Sequence, residues 1–481
     1  MTGPDVVIVG SGPNGLAAGV YLAQQGASVL VLEARETAGG GMRTAALTLP
    51  GFAHDVCSAV HPMAVLSPYL RQLPLQAHGL QWVRPRVSVA HPLEDEAAVL
   101  LHPSVAETAA GLGVDARSYE RLVSPFLKDP HALLEDAMAP LGIPHHPALL
   151  LRFGLQGLKS AKGLARRFRG ARARALLAGC AGHSILPLEK AITGAMGLLL
   201  LLTGHVEPWP VAAGGSESIA RALASLLRSL GGRIQTGVTV RGLGDLPPAR
   251  AYLFDTSPAQ LAAIAEGVLP PRYVRRLRRY RYGPGAFKVD WALEGSIPWR
   301  DARCLEAATV HVGGTFEDIS AAEAAVWRGE HPERPFVLVC QQSELDRSRA
   351  PPGKQTGWAY CHVPAASKKD MTATIEAQLE RFAPGFKARI LARHVTTPAD
   401  FESGNANDVG GAITGGVADL TQLFFRPVAR LNPYTTPHPR LFICSASSPP
   451  GGGVHGMCGY HAARSVLRRL DGLASAPLSA A

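Results

Sequence analysis

Three glycines near the start of the chain have a spacing that can hold a phosphate group. Gly10, Gly12 and Gly15 follow a short apolar run in the stretch DVVIVGSGPNGLAAG. In a tight turn between a buried strand and a helix, such glycines let the backbone approach a pyrophosphate and let the helix pack closely on the strand. The N–H groups at the helix start then favour an anion. The spacing predicts a dinucleotide-binding turn before a helix over residues 16–25.

An acidic residue, Glu33, follows the next apolar run at residues 28–32. A carboxylate at the end of the second strand of such a unit can bind ribose hydroxyls. The following stretch, ARETAGGGMRT, resembles the second FAD signature of the amine-oxidase and phytoene-desaturase superfamily. The resemblance implies that FAD is the cofactor and that Arg43 neutralises its pyrophosphate. It also places four neighbours at the cofactor, namely Arg35, Gly40, Gly41 and Met42.

A second glycine-rich stretch does not repeat the nucleotide pattern. VGGAITGG, residues 409–416, has no apolar strand before it, and we expect a loop or bulge rather than an NADPH site. One nucleotide site indicates a flavin that is reduced by the substrate and reoxidised by oxygen or a quinone.

The glycine-rich stretch PPGGGVHGMCGYH, residues 449–461, lies between an apolar run and a helix expected from about residue 455 to 470. With the N-terminal motifs it resembles the bacterial phytoene-desaturase-like FAD oxidoreductases. The resemblance implies that this helix start faces the flavin and stabilises its reduced anion. His455 is interpreted as a helix-start residue beside the cofactor, or else as an acid or base. The further cofactor contacts that the resemblance implies are Val238, near the adenine, and Gly452, Gly453, Val454 and Met457.

Two other residues are candidates for catalysis. His61 lies in GFAHDVCSAVHP, where the superfamily's chain passes the flavin, but a structural loop histidine is an equal alternative. Lys288 lies in YGPGAFKVDWALEGSIPWR, which resembles the amine-oxidase segment whose lysine holds a water beside the flavin. A cation there would favour negative charge on the ring and so assist reoxidation. A surface lysine between apolar neighbours is the competing interpretation.

The elements that position these residues indicate an α/β protein. We expect a Rossmann-like FAD-binding domain with a parallel sheet, interleaved with an α+β substrate domain that carries a helical lid region. The expected segments are FAD-binding residues 1–75, a helical lid region 76–205, FAD-binding residues 206–282, a substrate-binding sheet 283–425 and FAD-binding residues 426–481.

The positive charge of the chain is local. The 481 residues have a net charge of +10, yet residues 152–174 contain eight basic residues and no acid. No nucleic-acid-binding motif accompanies them, so no nucleic acid is expected as a partner. A helical plot places six residues on one side, opposite most of the basic ones: Leu151, Leu155, Leu158, Ala161, Ala165 and Phe168. This pattern predicts an interfacial helix at residues 151–174 that binds an anionic membrane surface. The alternative is a helix whose apolar side packs on the protein.

The location and the metal content follow from what the sequence lacks. The seven cysteines are scattered without CxxC spacing, which argues against a zinc site, and no metal is expected. No signal peptide or membrane-spanning run is recognisable, and a cytoplasmic protein is expected, with the membrane surface as a candidate partner. The oligomeric state stays open.

These features together predict an FAD-dependent oxidoreductase. It would remove hydride from a small apolar substrate, by C–C desaturation or a related dehydrogenation. A flavin amine oxidase is the first alternative. A flavin-binding interaction protein without turnover is the second.

Overall fold

The computed structural model describes residues 3–470. The end of the last predicted FAD-binding segment, residues 471–481, lies outside the described residues. The strands are β1 Val6–Val9, β2 Val29–Leu32, β3 Thr44–Ala45, β4 His54–Asp55, β5 Trp82–Val83, β6 Val87–His91, β7 Val99–Leu101, β8 Val211–Ala212, β9 Arg233–Gln235, β10 Ala251–Phe254, β11 Gly285–Leu293, β12 Ala307–Val312, β13 Val337–Cys340, β14 Gln355–Val363, β15 Ile390–Thr396 and β16 Leu441–Ile443. The helices are α1 Pro13–Gln24, α2 Pro62–Val65, α3 Val105–Ala110, α4 Ala116–Val123, α5 Pro130–Ala137, α6 Pro147–Gly157, α7 Ala161–Ala165, α8 Ala171–Gly182, α9 Thr193–Val206, α10 Glu217–Ser229, α11 Pro258–Ile264, α12 Pro271–Arg278, α13 Phe316–Trp327, α14 Gln342–Leu345, α15 Thr372–Phe382, α16 Pro398–Gly404, α17 Leu420–Phe425 and α18 Met457–Leu470.

A five-stranded parallel sheet forms the nucleotide-binding part of the fold. Its strand order is β16-β10-β1-β2-β9, and β1 pairs in parallel with both β2 and β10. The central strands are buried on both faces, which explains their unbroken valine and leucine runs. Helices α1, α10 and α18 cover one face and α11 and α12 cover the other. The predicted Rossmann-like parallel sheet is confirmed.

A seven-stranded sheet forms the second part of the fold. Its order is β15-β11-β14-β13-β12-β6-β7, and all its pairs are antiparallel except β6 with β12. Because side chains alternate along a strand, one face is apolar and packs on α15. The other face carries Lys288, Tyr360, Leu338 and His311 in one row across four strands. This row lies on the side of the sheet that also packs on the helices α8 and α9.

Seven helices, α3 to α9, lie between β7 and β8 in the described chain. They form a core with the second sheet through residues such as Leu177, Leu201 and Phe336. The region expected to be helical, residues 76–205, is therefore helical only after β7, because its first part contains β5, β6 and β7, and the last two belong to the second sheet. Its action as a lid, and the division of the chain into five segments, stay predictions.

The basic stretch at residues 151–174 is not one amphipathic helix. It is divided among α6, α7 and the start of α8, and the break falls where the Ser160 hydroxyl accepts a hydrogen bond from Gly163 N at 2.9 Å. Leu151, Leu155 and Leu158 are 65 %, 61 % and 53 % exposed. The three apolar residues after the break, Ala161, Ala165 and Phe168, are buried. The prediction of one apolar side is therefore wrong, and so is the alternative that all of it packs on the protein.

None of the helices within residues 3–470 combines the length and the apolar character that crossing a membrane requires.

Candidate nucleotide and substrate site

The three glycines of the N-terminal motif form one turn between β1 and α1. Gly10 has a φ of 101°, a conformation that residues with side chains rarely adopt. A Cβ at position 15 would lie 2.2 Å from the Gly10 carbonyl oxygen, so α1 can start this close to the turn only with glycine there. The helix begins at Pro13 and not at residue 16, because proline suits the first helical position. The turn lies at the carboxyl edge of the parallel sheet.

Glu33 is held at the end of β2 by three hydrogen bonds. Its carboxylate accepts from Ser11 N at 2.9 Å, from Ser11 Oγ at 2.5 Å and from Arg35 N at 2.9 Å. Val238 N donates to the Glu33 carbonyl at 2.8 Å. The structure thus brings Glu33, Val238 and the glycine turn together, although Val238 is about 200 residues away in sequence. The Arg35 guanidinium contacts the Ser403 carbonyl instead of a group in the turn.

The second glycine-rich stretch lies directly against the first. A Cβ at Gly40 would lie 3.0 Å from the Gly12 Cα, so the two backbone segments approach as closely as glycine allows. Arg43 donates from Nε to the Gly40 carbonyl at 2.8 Å and from Nη2 to the Gly404 carbonyl at 2.9 Å. Burial, with a smaller contribution from Arg35, lowers the pKa of Arg43. The two residues before Arg43 differ in burial: Gly41 is half-buried and Met42 is fully buried in the core.

Two buried aspartates at this site were not predicted as site residues. Asp255, after β10, accepts a hydrogen bond from Gly15 N at 2.9 Å, and burial raises its pKa to about 7, with Glu33 contributing in the same direction. Asp408 lies in the loop GNANDVGG, and burial raises its pKa to about 7 while Asn405 and Arg43 act in the opposite direction. Asn407 connects this loop to Asp255, because its Nδ2 donates a hydrogen bond to the main-chain carbonyl of Asp255 at 3.0 Å.

The C-terminal glycine loop forms a close turn before α18. A Cβ at Gly452 would lie 2.3 Å from the Thr414 carbonyl oxygen, so this position requires glycine. Gly452 and Gly453 are exposed and Val454 is half-buried, which leaves this stretch of backbone accessible. The helix starts at Met457, two residues later than expected, and packs on α1 where a Cβ at Gly459 would lie 1.9 Å from the Asn14 carbonyl oxygen.

His455 caps its own loop. Its Nδ1 accepts from Met457 N at 3.0 Å, and its Nε2 lies 3.2 Å from the Gly451 carbonyl. Since Nδ1 is the acceptor, the neutral ring carries its proton on Nε2. Burial lowers its pKa to about 4. The structure therefore gives His455 the position of a helix-start residue, with both ring nitrogens occupied by backbone.

One of the two ring nitrogens of His61, Nε2, forms a hydrogen bond with Ser216. Ser216 Oγ donates to the Ser58 carbonyl at 2.6 Å, so the hydrogen bond of 2.9 Å between His61 and Ser216 must use the Nε2 proton of the histidine. His61 Nδ1 is buried and has no hydrogen-bond partner. Burial lowers the pKa of His61 to about 4, and Asp55 opposes that shift.

Lys288 is a buried residue, and the surface-lysine alternative is wrong. Its side chain is 1 % exposed, pairs with Asp290 and lies 5.3 Å from the centre of the Trp358 ring. Asp290 in turn lies 3.5 Å from His54, whose Nε2 contacts Thr48 Oγ1 at 2.7 Å. Because the other face of β11 packs in the core, alternation along the strand places the lysine on the face toward the helices.

A second buried ion pair joins the first sheet's connections to the second sheet. Asp55 pairs with Arg349 and accepts from Thr44 Oγ1 at 3.0 Å and Ser216 N at 2.8 Å. Arg349 is almost 300 positions away from Asp55 in the sequence and was not predicted as its partner. The pair fixes the segment that carries His61.

A large apolar cavity reaches the C-terminal glycine loop. Its volume is about 970 Å³, and its lining includes Gly452, His455 and Met457. Apolar side chains from α2, α6, α9 and α17 form much of the remaining wall, among them Met63, Phe153, Leu199 and Leu423. Within residues 3–470 no group of three or more His, Cys, Asp or Glu side chains has a geometry that could hold a metal ion.

Comparison with known proteins agrees with this arrangement. Residues 8–73 match the NAD(P)-binding Rossmann-like domain family. The chain is 26 % identical to pyridine nucleotide-disulfide oxidoreductase domain-containing protein 2 of Rattus norvegicus, over 98 % of this chain and 94 % of the relative. It is also 26 % identical to hydroxyneurosporene desaturase of Cereibacter sphaeroides, over 97 % of this chain and 98 % of the desaturase.

The fold has a close counterpart among solved structures. Putrescine oxidase superposes with a TM-score of 0.60 at 18 % identity, covering 97 % of this chain and 99 % of that structure. The predicted resemblance is confirmed: the chain is similar in sequence to a desaturase over nearly its whole length, and it shares its fold with flavin oxidoreductases such as the amine oxidases.

Proposed function

We propose that this protein belongs to the flavin oxidoreductase superfamily and is an FAD-dependent enzyme that removes hydride from an apolar substrate, by C–C desaturation or a related dehydrogenation. The observation that carries the proposal is the apolar cavity of about 970 Å³ that ends at the glycine loop before α18. A pocket whose wall is mainly apolar binds a ligand with a large apolar part.

The residues around the glycine turn fit FAD. Glu33 has three donors on its carboxylate and, with about four acceptor positions, keeps one for a ribose hydroxyl. Arg43 uses Nε and Nη2 within the chain and keeps Nη1 for the pyrophosphate. The exposed backbone at Gly452 and Gly453 can lie against a flat ring because neither residue has a side chain. FAD would supply the hydride acceptor, with oxygen or a quinone as the final oxidant.

The buried side chains near the site divide into neutral and charged groups. His61 and His455 have pKa values of about 4 and are neutral at pH 7, so neither can supply a positive charge. Lys288 is a buried cation whose charge is balanced by Asp290. We assign to Lys288 the role of favouring negative charge on the flavin during reoxidation.

A flavin amine oxidase is the alternative. The similarity in fold to putrescine oxidase supports it. The cavity argues for the apolar substrate, because its rim carries three arginines and these repel an ammonium group. Mixing the purified flavoprotein with each substrate class under anaerobic conditions separates the alternatives. Loss of flavin absorbance with polyenes or other apolar substrates supports the proposal. Loss with amines alone supports the amine oxidase, and no loss with any class leaves a binding protein without turnover.

We also propose that the cavity mouth rests on an anionic membrane surface. Leu141, Ile143 and Leu158 line the cavity and are 60 %, 95 % and 53 % exposed, and Leu431 on the opposite side is fully exposed. The basic stretch at residues 152–174 begins on α6, and Leu158 directly follows that helix. Exposed apolar side chains beside basic ones are typical of surfaces that bind anionic lipid.

The first experiment is the absorption spectrum of the purified protein. A flavin spectrum that is retained through gel filtration and released by heat as FAD supports the cofactor assignment. A colourless protein that takes up no added FAD would overturn it.

A further inference from the structure

Three arginines lie at the rim of the apolar cavity. Arg464 and Arg468 are on α18, four residues apart, and therefore share one face of the helix. Arg71 follows α2 and lines the same cavity. All three side chains are exposed. A purely hydrocarbon substrate would gain nothing from this arrangement.

These arginines lack acidic partners. Among the described residues none of the three takes part in an ion pair, whereas four other exposed arginines each pair with a carboxylate: Arg278, Arg281, Arg303 and Arg328. The cavity wall contains two carboxylates, Glu135 and Asp136. Asp136 is buried and occupied by the N–H groups of His145 and His146 at 2.8 Å and 2.7 Å. One exposed carboxylate therefore faces three cations.

The positive potential of this rim is felt by neighbouring groups. Burial lowers the pKa of His461 to about 4, the Met138 carbonyl opposes that shift, and Arg464, His455 and Arg468 add to it. The pKa of His131 is lowered by burial and by Arg71, against the effect of Asp129. Burial is the larger cause of both shifts, and the arginines act on both histidines in the same direction.

Two of the arginines are held in place by neighbouring side chains. The Arg464 guanidinium lies 5.5 Å from the centre of the Tyr460 ring, and Tyr460 is stacked on Tyr69. The Arg468 guanidinium contacts Ser465 Oγ at 3.5 Å. A guanidinium held over an aromatic ring keeps its N–H groups in plane and free to form two parallel bonds to an anion.

We propose that the substrate is an amphipathic anion, whose apolar chain fills the cavity toward Gly452 and whose carboxylate or phosphate head is bound by Arg71, Arg464 and Arg468. This inference rests on the proposed function, because the ligand is a substrate only if the protein is an enzyme. Binding of the ligand itself does not require turnover.

The test is direct binding to the full-length protein with matched probes. Calorimetric titration compares dodecanoic acid, dodecyl phosphate and dodecan-1-ol, each below its micelle concentration. These probes share the apolar chain and differ in the head group, and the two anions distinguish a carboxylate site from a phosphate site. The variants are Arg464→Gln with Arg468→Gln, and Arg71→Gln alone. Arg469→Gln is the control, because Arg469 is exposed on the same helix and lies over the Phe442 ring, away from the cavity.

One of the two anions is expected to bind at least tenfold more tightly than the alcohol in the wild-type protein. The double variant should lose about tenfold of that affinity, since each exposed charge pair contributes a factor of about three. Binding of the alcohol should stay within about twofold, and Arg469→Gln should match the wild type. Equal binding of all three probes, or an equal loss with the control, would overturn the proposal.

Flavin content, measured by absorbance on the same samples, separates this inference from the proposed function. A colourless protein that still prefers the anion refutes the function and retains the ligand class. A flavoprotein that is bleached by an apolar substrate and shows no preference for the anion refutes the ligand class alone. The wild-type comparison of head groups needs no variant, so a misfolded variant does not prevent the decision.

Discussion

Replacement of Asp255 by asparagine should make the protein more stable, and more so at high pH. The carboxyl group has a pKa of about 7 in the folded protein, because it is fully buried and faces Glu33, against an ordinary value of 3.8. The groups that face it are Glu33, the N–H of Gly15, and the buried thiols of Cys444 and Cys458. Since the folded pKa is raised, folding favours the proton, and stability is lost as pH rises from about 4 through about 7.

The size of the effect follows from the difference between the two pKa values. One pKa unit corresponds to about 1.4 kcal/mol, so the carboxylate costs about 4 kcal/mol at pH 8.5 and about 1.7 kcal/mol at pH 5. A protein of this length has an unfolding entropy of about 1 kcal/mol per degree near its melting temperature. Asparagine keeps an oxygen to accept from Gly15 N but carries no charge. The expected rise in Tm is about 4 °C at pH 8.5 and about 2 °C at pH 5.

Differential scanning calorimetry of the FAD-free protein at both pH values measures this difference. Asp95→Asn is the matched control, because Asp95 is exposed and forms no hydrogen bond or ion pair through its side chain within residues 3–470. Its Tm should follow that of the wild type at both pH values. A variant Asp255→Asn whose Tm falls, or rises equally at pH 5 and pH 8.5, would refute the reasoning from burial.

Three further predictions concern the cofactor, the oxidant and the membrane. Lys288→Met should slow reoxidation of the reduced flavin by at least tenfold and spare its reduction, measured by stopped-flow absorbance; unchanged oxidation would contradict the assigned role. Gly15→Ala should weaken FAD binding at least tenfold in a fluorescence titration, because its Cβ would meet the Gly10 carbonyl at 2.2 Å, whereas Gly154→Ala has open space and should bind normally. Leu155→Asp should reduce flotation with anionic liposomes by more than half, whereas Leu391→Asp, at an exposed site in β15 that does not line the cavity, should not.

The first 45 residues were the most predictable part of the fold. Their strand, helix and strand depend on contacts within one local unit, so apolar runs and glycine spacing suffice to define them. Of the three remaining strands of the parallel sheet, β10 and β16 could be recognised as apolar runs of three or four residues, whereas β9 is not such a run, and the order of the strands could not be predicted. The order depends on which buried edges are left after β1 and β2 pair, and nothing local in the sequence records it.

The stretch at residues 151–174 shows where a helical plot fails. The plot assumes one continuous helix, but Ser160 and three glycines favour a break and a new helix start. After the break the phase of the pattern changes, so the leucines face solvent while Phe168 enters the core. The apolar and basic character was correctly recognised, and its geometry was not.

The polar partners at the site were the least predictable features. Glu33 was recognised because its position is set by the strand before it. Asp255 and Asp408 were missed because each becomes a site residue only when loops 150 to 240 positions apart meet the glycine turn. Burial then changes their chemistry, and a sequence without an alignment does not show which aspartates will be buried.

The two raised pKa values have a common consequence for a bound dinucleotide. Asp255 takes the Gly15 N–H at the start of α1, and Asp408 lies in the loop that binds Arg43 through the Gly404 carbonyl. At a pH below about 7 both carboxyls are neutral, so they add no negative charge beside a pyrophosphate. Above it, each ionised carboxylate would repel the phosphates of a bound dinucleotide, so cofactor affinity is expected to fall as pH rises through about 7. The glycine turn therefore determines the shape of the site, whereas residues from distant loops determine its charge.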